Sequence, residues 1–330
     1  MKPIIFELMA LGLFLGVTGP AKADDYEFTT IDVPGAALTQ ARGINASSQI
    51  VGFFDDAAGR RHGFLLCEGK YTILNVPGST RTVSQAINDL AQIVGNYVDE
   101  AGVRHGFLLR EDGYTTLDPP GSDFTVAYGI NASGQIVGLY SDAASNWHGF
   151  LLDQGNYTTL DVPGFSTSAN GINASGQIVG SYDAPNGTHG FLFDQGIIST
   201  LDDVPGSRQT IASGINDSGQ IVGYYVDAGG ATHGFLWCEG NYTTLPDVPG
   251  ASFTAAWGIN DSGDIVGWYT AGGTDHGFLL PEGEDTYTTI EVPDSTLSVN
   301  FRINDLGQIV GFYRHEDGTS HGFLATPIEP

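Results

Sequence analysis

The chain has 330 residues, with 12 basic and 38 acidic side chains, a net charge of −26 and two cysteines. So acidic a chain offers no footprint of Lys and Arg to nucleic acid or to an anionic membrane surface, and neither is expected as a partner.

The first predicted element is a leader. Met1-Lys2 is followed by a mostly apolar run from Pro3 to Val17 and then by Ala21-Lys22-Ala23. A basic start, a short apolar core and an Ala-x-Ala ending form a secretory signal peptide, with cleavage after Ala23. The run falls short of the roughly 20 residues a membrane span needs, and no later stretch qualifies. Residues 1–23 are therefore read as signal peptide and 24–330 as one domain, secreted or periplasmic.

The mature chain opens on a strand-like segment, Phe28-Thr29-Thr30-Ile31-Asp32-Val33, and then runs through seven copies of one unit. Ile-Asn recurs with Asn at 45, 88, 131, 173, 216, 260 and 304. His-Gly-Phe recurs with His62, His105, His148, His189, His233, His276 and His321, and a Val-Pro-Gly-like turn recurs beside both series. The spacing is 41 to 45 residues. In copy three, four strand-like segments are clear at 124–131, 135–140, 148–152 and 157–162. They are rich in Thr, Val, Ile, Tyr and Phe and bounded by Gly, Pro, Asn and Asp, and no helical period competes. Four short strands in about 43 residues is the period of a propeller blade. The expected fold is all-β, a seven-bladed β-propeller with four antiparallel strands per blade.

After each Ile-Asn comes a turn such as Asn131-Ala132-Ser133-Gly134. Asn first and Gly fourth predict a type I turn followed by a left-handed residue and a bulge. Ser48 and Ala91 stand in place of that Gly in copies one and two, which should be the least comfortable turns. The chain ends after His321-Gly322-Phe323-Leu324, a third strand without a fourth. The opening segment, residues 27–33, is a fourth strand without a blade, so it is expected to complete the last copy and close the ring, leaving no open sheet edge.

The run Gly-Ile-Asn-x-x-Gly-Gln-Ile-Val-Gly-x-Tyr, followed by His-Gly-Phe-Leu, resembles the bacterial extracellular HAF-repeat family, named for a His-Ala-Phe motif. Here Gly takes the middle position in all seven copies, and the resemblance covers residues 26 to 325. It implies export and brings no activity with it.

The seven histidines in register raise a metal site, but at the start of third strands they should lie more than about 10 Å apart in neighbouring blades. They are read as structural, each pinning the turn between second and third strands. Cys67 and Cys238 occupy the same place in copies one and five, too distant for a disulfide. No cofactor motif appears. Calcium is the one ion that the acidic turns, such as Asp55-Asp56, Asp99-Glu100 and Asp142, suggest, and solvated turns are the favoured reading. The many Asn-x-Ser/Thr triplets fall out of the turn chemistry.

What varies inside the constant frame carries the functional signal. Three residues before each Asn stand Arg42, Gln85, Tyr128, Asn170, Ser213, Trp257 and Phe301. Eight residues after stand Phe53, Asn96, Leu139, Ser181, Tyr224, Trp268 and Phe312. The two sets are expected to be cross-strand partners at one mouth of the central channel, on the face where the innermost strands begin. Arg302 replaces a near-constant Gly, close to Asn300 where other copies carry Ala or Ser. Aromatic faces beside amides suit a sugar, and Arg42 with Arg302 suit an anionic group such as a uronate. The candidate ligand residues are Arg42, Gln85, Asn96, Tyr128, Asn170, Tyr224, Trp257, Trp268, Phe301, Arg302 and Phe312; wedge packing between blades is the competing explanation. The expected function is a non-catalytic exported binding module for a carbohydrate, cell-wall glycan or other extracellular ligand, with a monomer the favoured state. The alternatives are a polysaccharide-active lyase or hydrolase, supported by Arg302 and fold analogy, and a structural surface protein.

Overall fold

The computed structural model describes residues 25–201, 204 and 206–328. The expected leader, residues 1–23, lies outside them. Within them the chain is all-β, with 28 strands, and it is a β-propeller. No described helix is long and apolar enough to cross a membrane.

Copy three shows the unit. Its strands Ser122–Ile130, Ile136–Asp142, Trp147–Asp153 and Asn156–Leu160 pair antiparallel in sequence order, as a meander. The turn after the first strand is the expected one. Gly134 N–H donates to Asn131 O (3.0 Å), Asn131 N–H donates to Gln135 O (3.1 Å), and Gly134 sits at φ 79°. Ser48 (φ 58°) and Ala91 (φ 57°) are held in the same left-handed region, which a Cβ disfavours.

Each unit buries its apolar face against the next, because a four-stranded sheet cannot cover itself. Val94, Leu108 and Leu117 of copy two pack with Ala127, Ile130, Ile136, Tyr140 and Phe150 of copy three. The phenylalanine of every His-Gly-Phe is fully buried. The same packing joins the ends of the chain: Ile31, Val33, Ala41, Ile50, Phe54 and Phe64 cluster with Val310 and Leu324.

The opening strand Tyr26–Ile31 pairs antiparallel with the last strand Ser320–Pro327, with Phe28 opposite Ala325 and Ile31 opposite Gly322. Thr30 Oγ1 and Tyr313 Oη share a hydrogen bond (2.9 Å), and Ile328 N–H donates to Asp25 O (2.7 Å).

The repeated asparagines form a second tie. Asn45 Nδ2 donates to Asn88 O, Asn88 to Asn131, Asn131 to Asn173, Asn173 to Asn216, Asn216 to Asn260, Asn260 to Asn304, and Asn304 back to Asn45 O, at 2.9–3.3 Å. Each Oδ1 accepts N–H groups of its own turn, as Asn131 does from Ser133 and Gln135. One side chain thus shapes the hairpin and staples it to its neighbour, which explains why no other residue type stands there.

Candidate functional site

The first strand of every copy carries a second irregularity, distinct from the turn. In copy one Ala41 pairs with Gly52 and Gly43 with Val51, leaving Arg42 as the extra residue of a bulge. The same shift falls at residues 85, 128, 170, 213, 257 and 301. A bulge re-aims a side chain without breaking the ladder. The tight approach beneath it demands glycine opposite: a Cβ on Gly138 would meet Val126 O at 2.0 Å.

The bulged residues Arg42, Gln85, Tyr128, Asn170, Ser213, Trp257 and Phe301, joined by Ile211 and Arg302, line one cavity of about 300 Å³. It opens toward the beginnings of the innermost strands, where Ile211 stands. Below it, Gly43, Gly129, Gly171, Gly214 and Gly258 form a narrow tier with Ala86 and Arg302. At the opposite end the asparagines are ringed by Asp89, Asp217, Asp261 and Asp305. Those carboxylates accept backbone N–H groups of the preceding copy, as Asp261 Oδ1 does from Asp217 (2.8 Å). Burial raises the pKa of Asp261, with Asp217 and Asp305 adding to the rise and the Asp217 N–H opposing it. The channel is therefore cationic at one end and anionic at the other.

Seven of the eleven expected ligand residues come together: Arg42, Gln85, Tyr128, Asn170, Trp257, Phe301 and Arg302. Asn96, Tyr224, Trp268 and Phe312 do not line this cavity. The expectation that the two variable sets oppose each other is corrected by the bulge. Asn96 pairs with Val83, Tyr224 with Ile211, Trp268 with Ala255 and Phe312 with Val299, each partner two positions before the bulged residue of its strand. The second set serves as a buttress. Trp268 stacks on Trp257 (5.1 Å between centroids) and on Phe253 (5.9 Å), and Phe312 stacks on Phe301 (5.8 Å). Asn96 is buried, and Phe301, at 7 % exposure, offers the cavity only part of its surface. Asn300 is fully buried, its Nδ2 donating to Phe278 O (3.1 Å), so it belongs to the packing beneath Arg302.

Arg42 lies over the Phe301 ring (4.3 Å) and near Phe53 (5.4 Å), with Nη2 donating to Gln40 Oε1 (3.0 Å). Arg302 Nη1 donates to the carbonyls of Trp257 (3.0 Å) and Phe301 (2.9 Å). Among the described residues no carboxylate pairs with either guanidinium. Arg61 differs: it forms a two-point ion pair with Asp55 (2.8 and 2.9 Å) while also lying over the Phe53 ring (4.1 Å).

A neighbouring groove of about 390 Å³ shares Tyr128 and adds Phe124, Leu139, Trp147, Ser168, Ser181 and Asp183 among others. Trp147 is 38 % exposed and meets Phe124 edge to face (5.0 Å). Trp147 was missed in the sequence. Its signal was available, because the other copies place Arg, Thr, Asp or Ser just before the histidine.

The histidines stay within their own units. Nδ1 donates to the side chain closing the fourth strand: His62 to Asn75 (2.8 Å), His105 to Asp118 (2.7 Å), His148 to Asp161 (2.7 Å), His233 to Asp247 (3.0 Å) and His276 to Glu291. His321 reaches Asp32 (2.8 Å), across the two ends of the chain. The other ring edge faces the carboxylate of the expected turn in four copies, for example His105 to Asp99 (3.5 Å). The main partner is thus the fourth strand, with the turn second. His189 is stacked on Tyr182, as the other histidines lie on an aromatic ring of the second strand. The acidic turn residues spend Oδ1 on their own backbone, as Asp56 does on Ala58 and Arg60. Among the described residues no group of three His, Cys, Asp or Glu is placed to hold a metal ion, and Cys67 and Cys238 are both free.

No family model and no curated protein matches this chain. Solved structures do. The chain is similar to the β-propeller domain of the Trilobed protease from Pyrococcus furiosus, at TM-score 0.65 and 9 % identity, covering 89 % of this chain and 97 % of that one. It is similar to a Mycobacterium tuberculosis puromycin-hydrolyzing peptidase (TM-score 0.59, 12 % identity), covering 92 % of this chain and spanning 52 % of that one. It is also similar to YCF48, solved with D1 peptide (TM-score 0.52, 13 % identity, covering 93 % and 97 %). At such identities the likeness concerns the scaffold.

Proposed function

We propose that this chain is an exported, non-catalytic binding module for a glycan, built on a seven-bladed propeller that its opening strand closes. The pairing of Tyr26–Ile31 with Ser320–Pro327 supports closure, and so does the asparagine series that returns from Asn304 to Asn45. Export rests on the leader pattern and on the repeat's likeness to the HAF-repeat family.

One observation carries the binding reading: the position that varies most from copy to copy is the bulged one, and all seven bulged residues line a single cavity. Packing alone would not require a Trp, an Arg, a Tyr and two amides to be turned out of the strand alternation toward the same space. A flat indole beside amide and guanidinium donors suits a sugar ring, with apolar faces to stack and hydroxyls to bond.

The enzymatic alternative lacks a proton-transfer pair at this place. Among the described residues the cavity lining includes no carboxylate and no histidine, whereas glycoside hydrolysis ordinarily needs two carboxyl groups. A lyase would be left with Tyr128 as base, and burial raises that phenol's pKa, with only Arg104 opposing. The test is titration of the mature protein against a panel of oligosaccharides, with product analysis of each mixture. Binding without turnover is expected, and Trp257→Ala should weaken it by about 1–3 kcal/mol while leaving the melting temperature near that of the parent. Turnover of any glycan, or a Trp257→Ala variant that only loses stability, overturns the reading.

A further inference from the structure

Resting on the reading of the cavity as a ligand site, we infer that Arg42 and Arg302 form an anion-binding centre selecting acidic sugars, with the two guanidiniums gripping a carboxylate. The inference starts from a charge imbalance. The protein carries 38 acidic groups against 12 basic ones, yet two of the twelve line one cavity in which no described carboxylate answers them. Arg61, which shares the Phe53 ring with Arg42, shows what a cation here does when a partner exists: it takes Asp55 at two points.

The two arginines are held rather than mobile. Arg302 is anchored through Nη1 to two backbone carbonyls, and Arg42 is laid on the Phe301 ring, whose own carbonyl is one of those two acceptors. Both are thereby fixed about one residue. Arg42 Nε and Trp257 Nε1 are buried donors without acceptors, both on side chains that line the cavity. Burial, then the like charges of Arg302 and Arg61, push the Arg42 guanidinium below its ordinary value, to about 10, and burial lowers Arg302 as well. Two desolvated, mutually repelling cations gain from any anion placed between them. A guanidinium fork matches the planar, two-oxygen geometry of a carboxylate. Arg302 also stands where five other copies have glycine and one has alanine, so its side chain is an addition to the frame.

The experiment compares trigalacturonic acid with its fully methyl-esterified, neutral form by calorimetry, on the wild type, Arg42→Gln and Arg302→Gly. Arg302→Gly restores the residue of the other copies and should fold. The acid should bind the wild type at least tenfold more tightly than the ester. In each variant the acid should weaken by at least tenfold more than the ester does, so that the preference for the acid is lost. Inorganic sulfate is the second probe: it should raise the wild-type melting temperature, and raise it less in both variants. Equal affinity for acid and ester overturns the inference while leaving glycan binding intact. Acid selectivity that survives in both variants places the anion site elsewhere and also overturns it. If neither sugar binds, a sulfate shift that depends on both arginines upholds the anion centre and refutes the glycan assignment; a shift independent of them refutes the centre.

Discussion

The asparagine series permits a quantitative test of the proposed closed ring. Asn131 is buried and makes four hydrogen bonds: Nδ2 to Asn173 O (3.0 Å) and Gln135 Oε1 (2.8 Å), and Oδ1 from the N–H groups of Ser133 (3.1 Å) and Gln135 (3.0 Å). At a net ~0.5–1.5 kcal/mol each, Asn131→Ala should cost about 2–6 kcal/mol. The middle of that range is expected, because Asn173 O keeps the Gly176 N–H and Gln135 keeps Asp153. Asn304 makes the same four bonds, with Asn45 O as the acceptor across the ends of the chain (3.0 Å). If the ring is closed in solution, Asn304→Ala should cost about as much as Asn131→Ala, because the two side chains make the same four bonds. Urea unfolding followed by tryptophan fluorescence, read as a midpoint shift at constant slope, measures both. An Asn304→Ala cost below half that of Asn131→Ala would refute closure, and a cost under about 1 kcal/mol for both would refute the role given to the asparagines.

Ala91→Gly should stabilise the protein by ~0.5–1 kcal/mol in the same assay, since it removes a Cβ from a left-handed position at φ 57°. His233 has its pKa raised above 6.5 because hydrogen bonds and charge from Asp247 and Asp227 outweigh burial, which acts the other way. The pair's contribution is then full below pH 6.5 and disappears as pH rises through the folded-state value. Asp247→Asn should therefore lower stability at pH 5.5, by a few tenths of a kcal/mol at most for so exposed a partner, and leave it unchanged at pH 9; equal losses at both pH values would contradict the charge argument. Trp147→Ala should leave a monosaccharide's affinity unaltered but weaken a tri- or tetrasaccharide, because its groove joins the cavity at Tyr128; calorimetry over a length series decides.

Architecture was legible because it is written seven times. Spacing, turn residues and the opening strand without a blade each follow from local chemistry, and the pairing of Phe28 with Ala325 matches the expectation drawn from segment order. The site was legible only in part. Alternation along a strand gives a side chain's direction until a bulge intervenes, and the glycine that follows the bulged residue in most copies, such as Gly43 after Arg42, sits inside the constant Gly-Ile-Asn motif and does not by itself announce one. Its mark lies on the partner strand, in a glycine such as Gly138 that leaves room for a carbonyl. Read without that constraint, Trp268 and Phe312 fall beside Trp257 and Phe301 at the cavity when they in fact stand behind them. The histidine partners were hidden for another reason: Asp118 and Asp161 stand 13 residues after His105 and His148, a distance closed only by the hairpin between them.

The bulge also separates two tasks that a strand residue ordinarily performs at once. A side chain at position 42, 85, 128, 170, 213, 257 or 301 has no opposite number in the ladder, so exchanging it leaves the register of its hairpin untouched. Seven such positions face one chamber, and the present chain already shows Arg, Gln, Tyr, Asn, Ser, Trp and Phe among them on an otherwise uniform frame. The partly exposed members of the set can therefore be randomised in the laboratory without shifting a strand register, whereas Phe301, buried against Arg42 and Phe312, is tied to its neighbours. On the proposed reading of the cavity as a ligand site, the scaffold would serve as a receptor frame with seven variable letters, on which single substitutions could change specificity.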